Sequence, residues 1–119
     1  MYNNEILSMK QYLRDVSFRR KFIELKIISC SDNQYDYYMK LDSALARYAK
    51  SHILFIKYVL GDITIITLTN LLGTSERAAF RFLENQKKNF IKFVDTLEDK
   101  LMKQYPFDDE VKINKITEE

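Results

Sequence analysis

The chain has 119 residues, 46% of them hydrophobic and 13% aromatic, enough to fill the core of one domain and too apolar for a disordered chain. Its 19 lysines and arginines against 17 acids leave a net charge of only +2, which by itself selects no partner. One cysteine excludes an internal disulfide, and two isolated glycines exclude a glycine-rich phosphate loop.

The charge is unevenly spread. Residues 1–103 carry 17 cations against 12 carboxylates, and residues 104–119 carry two against five. A modestly basic body with an acidic end suits a nucleic-acid binder without requiring one. The N-terminal stretch MYNNEILSMKQYLRD has no apolar core of the length a secretory signal needs. The apolar run over 53–72 is broken by Lys57, Gly61, Asp62 and Asn70, so no membrane partner and a cytoplasmic location are expected. Two glycines and one proline are too few turns for a sheet protein, so the expected fold class is all-α, a small helical bundle.

In chain order, residues 4–30 read as helical, with Ile6, Met9, Leu13 and Val16 and then Phe18, Phe22 and Leu25 on the apolar face. Asp15 and Ser17 could cap a second helix there, which would bend the segment. Ser31-Asp32-Asn33 is a break, because these side chains bond their own backbone. Residues 34–50 form a helix with Tyr38, Leu41, Leu45 and Tyr48 inward. Residues 53–60 form another, or continue it past a kink near Ser51, and Gly61-Asp62 ends it.

Ile63 to Thr69 favours a strand by β-branched propensity. With no partner strand in the sequence, it reads instead as a short buried helix starting near Thr64. The longest periodic segment follows, from Ser75 to about Lys103, with Ala79, Leu83, Gln86, Phe90, Val94, Leu97 and Leu101 on one face. Ser75 is a good N-cap, and Tyr105-Pro106 stops the helix. These elements make one domain over 1–104 and an acidic, flexible tail over 105–119. Within the domain, 1–60 holds the N-terminal helices, 61–86 a helix-turn-helix and 87–104 the rest of the long helix.

Thr67 to Glu84, TLTNLLGTSERAAFRFLE, has what a helix-turn-helix requires. Leu68 and Leu72 face the second helix, Gly73 accepts the left-handed backbone of a sharp turn, and Ala79, Phe82 and Leu83 suit the crossing. Polar side chains able to reach bases and phosphates follow the turn. LLGTSERAAFRFLE resembles the motif of bacterial and phage helix-turn-helix regulators, both those of the cyclic-AMP-receptor type and the region-four-like domains of sigma factors. The likeness covers about residues 61–86, including Gly61 ahead of the first helix. It implies a transcriptional regulator that reads double-stranded DNA, with Ser75 on a phosphate and Glu76, Arg77 and Arg81 on base edges. Phe80 takes a position that is exposed or touches DNA in such proteins. Gln86, Lys87 and Lys88 are further candidates along the same helix. The chain departs from the family at Thr69, where alanine is preferred, and at Thr74, where valine or isoleucine is. No glycine-led wing follows the second helix.

Dimers are the common arrangement for this motif, and the apolar stripe continuing through Phe90, Phe93, Val94, Leu97 and Leu101 needs cover from the N-terminal helices or a second copy; a homodimer is expected. RNA polymerase or another protein is a further partner such a regulator invites. The basic run Arg19-Arg20-Lys21 with Arg14 and Lys26 is either a flank for DNA or a solvated helix face. Tyr35, Tyr37 and Tyr38 read as core or interface. His52 has no ligand-spaced neighbours, so no metal, cofactor or catalysis is expected. The rival reading is an all-helical protein-interaction module, an adaptor or inhibitor with no DNA binding. The composition, rich in Asn, Lys, Ile and Tyr, suits a phage or plasmid protein of a low-GC bacterium.

Overall fold

The computed structural model describes residues 4–108, and every regular element among them is an α-helix: α1 (Asn4–Glu24), α2 (Asp32–Ser51), α3 (Ile53–Leu60), α4 (Ile65–Leu72) and α5 (Glu76–Gln104). No helix among the described residues is long and apolar enough to cross a membrane. The molecule measures 49 × 25 × 23 Å. Its long dimension is set by α5, whose 29 residues run about 43 Å at the helical rise.

α1 is one unbroken helix. No bend occurs at Asp15–Ser17, and Ser17 is exposed within the helix. Its buried residues are Ile6, Met9, Tyr12, Val16 and Ile23. Because the register runs on unbroken past Val16, Phe18, Phe22 and Leu25 fall on the opposite side and are exposed. That corrects their expected place in the core.

α2 starts earlier than the sequence suggests. Ser31 is its N-cap, accepting from the Gln34 amide at 3.2 Å, so Asp32 and Asn33 form the first turn. A single residue, His52, joins α2 to α3. Its amide donates to the Tyr48 carbonyl at 3.0 Å, and its ring stacks on that of Tyr48 with centroids 3.9 Å apart. α3 buries Phe55, Ile56, Tyr58 and Val59, and it touches α1, α2 and α4.

Three helices end in the same way. After α3, the Gly61 amide donates to the Tyr58 carbonyl and the Asp62 amide to that of Lys57, with Gly61 at φ 84°. After α4, Gly73 at φ 65° and Thr74 repeat the pair onto Asn70 and Thr69. After α1, Lys26 and Ile27 repeat it onto Ile23 and Phe22, with Lys26 at φ 58°. This paired cap satisfies the last carbonyls and needs a left-handed residue. Both glycines of the chain serve it; the third position is a strained lysine.

α5 lies with Ala79, Leu83, Phe90, Ile91, Val94 and Leu101 buried. α2 packs along it, with Tyr48 against Phe90 and Phe93, and Phe55 of α3 reaches Phe90 at 6.1 Å. The chain's own helices therefore cover the stripe that motivated a homodimer, and that ground for a second copy falls away. Beyond α5, Tyr105 and Phe107 pack on the core, and Phe107 meets Tyr37 edge-on at 5.0 Å. The Pro106 carbonyl accepts from Asn33 at 2.8 Å. The acidic segment expected to be a loose tail thus begins as part of the fold, and its residues 109–119 lie outside the described ones.

Replacing Gly73 by alanine meets no atom within 4 Å, so only the left-handed backbone opposes it. Gly73→Ala should cost about 1–2 kcal/mol and Lys26→Gly should gain up to about 1 kcal/mol, both measured by urea unfolding.

Candidate nucleic-acid interface

The geometry around Gly73 follows from local chemistry. Thr64 caps α4, its hydroxyl accepting from the Thr67 amide at 3.2 Å. β-Branched Ile65, Ile66, Thr67 and Thr69 form the helix despite their propensity, because the cap starts it and neighbours hold it: α4 packs on both α3 and α5. Only Leu68 is fully buried there, and Ile66 is 67% exposed, so α4 is a half-covered helix and not the buried one expected. Gly73, Thr74 and Ser75 make the connection. Ser75 caps α5 by accepting from the Ala78 amide at 3.2 Å. Leu68 and Ala79 have no exposed surface, Leu83 almost none, and Leu72 and Phe82 pack half-buried beside them.

With that face committed, the opposite side of α5 is determined. Ser75, Glu76, Arg77, Phe80 and Arg81 are all exposed. Arg77, Arg81, Asn85, Lys88 and Lys92 advance by threes and fours along one line, each exposed, over about 22 Å of helix. Among the described residues neither Arg77 nor Arg81 forms an ion pair, and of the acids near them Glu84 is engaged by Lys87 at 3.0 Å. Arg77, Phe80, Arg81, Glu84 and Asn85 line a shallow hollow of about 550 Å³.

Two of the residues expected at the interface turn inward. Lys87 is only 7% exposed, and its ammonium group donates to Glu5 and Glu84 at 3.0 Å each. Burial works against its charge, but the hydrogen bonds and charges of Glu84 and Glu5 outweigh that and raise its pKa above the ordinary 10.5. Gln86 is half-buried, and its Oε1 is enclosed with no partner among the described residues. Both lie between Leu83 and Phe90 on the core side, so neither is placed to touch a phosphate.

The basic run on α1 does not extend the interface. Arg20 binds Asp42 at 3.2 Å and Glu24 at 2.9 Å, and Arg19 lies over the Tyr38 ring at 5.5 Å. Two polar links, Glu5 with Lys87 and Tyr12 with Glu98, set α1 parallel to α5. Counting helical rise from those links puts Arg20 roughly 31–37 Å from Arg81 along the axis. Tyr37 and Tyr38 are core, and Tyr35 is 44% exposed. No group of three or more metal-ligating side chains is present among the described residues.

Two buried polar residues escaped sequence reasoning. Glu98 is 9% exposed and accepts from the Tyr12 hydroxyl at 2.7 Å. Lys87 and Glu98 both fall at the helical spacing of the core face, and that register was the available signal. Comparison with family models, characterised proteins and solved structures finds no match to this chain.

Burial, then the charge of Glu98, raises the Tyr12 pKa far above the ordinary 10.0. Both Tyr12 and Lys87 keep their protons in the folded state beyond the pH at which the unfolded chain loses them. Their stabilisation is complete below the unfolded values of 10.0 and 10.5 and declines as pH rises through them. Urea midpoints should hold steady to about pH 9 and fall above pH 10, with a shallower fall in Tyr12→Phe. At neutral pH, Lys87→Ala should cost about 1–3 kcal/mol and Lys88→Ala less than about 0.5 kcal/mol.

Proposed function

We propose that the protein binds double-stranded DNA sequence-specifically through the first turns of α5, as a transcriptional regulator. The observation that carries the reading is the pair Arg77 and Arg81, one turn apart, exposed and forming no ion pair among the described residues, on a helix whose opposite face is packed. An α-helix fits the major groove, and a free guanidinium can pair with both O6 and N7 of guanine. Phe80 between them offers a ring for a thymine methyl, and Glu76 an acceptor for a cytosine amine. The three-residue connection with left-handed Gly73, and the caps at Thr64 and Ser75, agree with the helix-turn-helix resemblance of residues 61–86. Lys88 and Lys92, further along the line, would neutralise phosphates and release counterions.

Selection from a random duplex library at two salt concentrations, followed by fluorescence anisotropy, tests this. The wild type should enrich a defined site and lose affinity as salt rises. Arg77→Ala and Arg81→Ala should each weaken the site by about 10- to 100-fold and relax one base position. Lys88→Ala should weaken all duplexes alike and reduce the salt slope by about one. Binding that is weak, sequence-blind and indifferent to both arginine changes would refute the proposal.

A further inference from the structure

The outer face of α1 has the make-up of a docking surface, and it is independent of the arginine face. Leu7, Phe18, Phe22 and, just past the helix, Leu25 and Ile27 are 42–63% exposed, half of the large exposed hydrophobic side chains of the described residues. Residues 7, 11, 14, 18, 22 and 25 fall on one helical line, directly opposite the buried Met9, Val16 and Ile23. The capping pair at Lys26 and Ile27 accounts for an apolar residue at Phe22 and Ile27. It does not account for Leu7, Phe18 and Leu25.

The ridge is ordered by its own contacts. The rings of Phe18 and Phe22 stack with centroids 6.4 Å apart, and the Arg14 guanidinium lies 5.9 Å from the Phe18 centroid. Lys10, Arg14 and Lys21 run along one flank. On the other flank the one acid, Asp15, already accepts from Gln11 at 2.6 Å. An apolar ridge one side chain wide, with a basic border, is complementary to an amphipathic helix whose apolar stripe has an acidic border. A second copy of the chain is a poor fit, since antiparallel two-fold pairing brings the same flank together and sets Arg14 against Lys21. A bilayer is a poor fit as well, because Gln11 interrupts the ridge and a single line of side chains inserts little area.

We propose that this face docks an acidic amphipathic helix of a partner protein. The probe is a synthetic peptide of about three heptads with a leucine stripe bordered by glutamates, beside a counterpart with lysines in place of the glutamates. Titrated into the isotope-labelled full chain, the acidic peptide should shift the amide signals of residues around Gln11, Phe18 and Phe22, and the basic one should not. Phe18→Glu should weaken binding about tenfold or more, with the circular-dichroism melt showing that the fold is kept. The double change Arg14→Glu, Lys21→Glu should reverse the preference toward the basic peptide. The proposal is overturned if neither peptide binds, or if both bind equally and the charge reversal changes nothing. Sedimentation with phosphatidylglycerol vesicles without a peptide response would overturn it in favour of a membrane. Self-association in the ultracentrifuge that Phe18→Glu abolishes would overturn it in favour of a second copy. None of these outcomes depends on DNA binding.

Discussion

One continuous register along α5 governs the molecule. The same face of this helix is buried from Ala79, where α4 covers it, to Leu101, where α2 does. A helix has a single rotational setting, so packing at Phe90 and Val94 also determines which way Arg77 and Arg81 point. Two separate short helices would each need their own anchoring. Here the exposed arginines inherit their orientation from Ala79 and Leu83 beside them and from the core at Phe90 and Val94 further along, and a loop sequence has no part in aiming them.

That register carries a cost at two positions. Lys87 and Glu98 occupy core-facing places with polar side chains, and a buried charge without a partner is strongly destabilising. Each is met from α1, by Glu5 and by the Tyr12 hydroxyl. The backbones of α1 and α5 are held apart by these long side chains, while α1 packs its backbone more closely on α2 and α3. An apolar pair at either level would bury as much area but would tolerate sliding of α1 along α5. Two polar links at different heights permit one parallel alignment only, and that alignment separates the basic run of α1 from the arginine end of α5.

What was legible in the sequence was what local chemistry decides. Thr64, Gly73 and Ser75 act within three or four residues of themselves, so the caps and the turn between α4 and α5 are legible. The long periodic stretch from Ser75 onward has enough turns to define its face, apart from Gln86 and Lys87, polar residues that the packing turns inward. α1 was misread because it carries two valid apolar lines. Ile6, Met9 and Val16 lie on one side, Leu7, Phe18, Phe22 and Leu25 on the other, and a bend at Asp15–Ser17 would have joined parts of both. Periodicity cannot choose between a bent helix with one face and a straight helix with two. The buried partners Glu5, Lys87, Tyr12 and Glu98 were illegible for a related reason: polar types read as solvent-facing until the helix that satisfies them is in place. The start of the tail was judged on charge, which hid the two aromatics, Tyr105 and Phe107, that dock it.

The second apolar line of α1 is also where a purely structural account of the chain stops. The fold needs one face of α1, and it has it: Met9, Tyr12 and Val16 are enclosed. Folding alone gives no reason to hold Phe18 and Leu25 in water, where each leaves apolar area unburied at about 25 cal/mol per Å². The arginine end of α5 poses the same question in charge, since among the described residues neither guanidinium group there forms an ion pair. The two surfaces differ in chemistry, one apolar with a basic border, the other cationic around a single ring. They also lie on helices whose relative alignment is set by the buried polar links. On the two proposals made above, one frame would hold a DNA duplex and a partner helix at a fixed distance from each other.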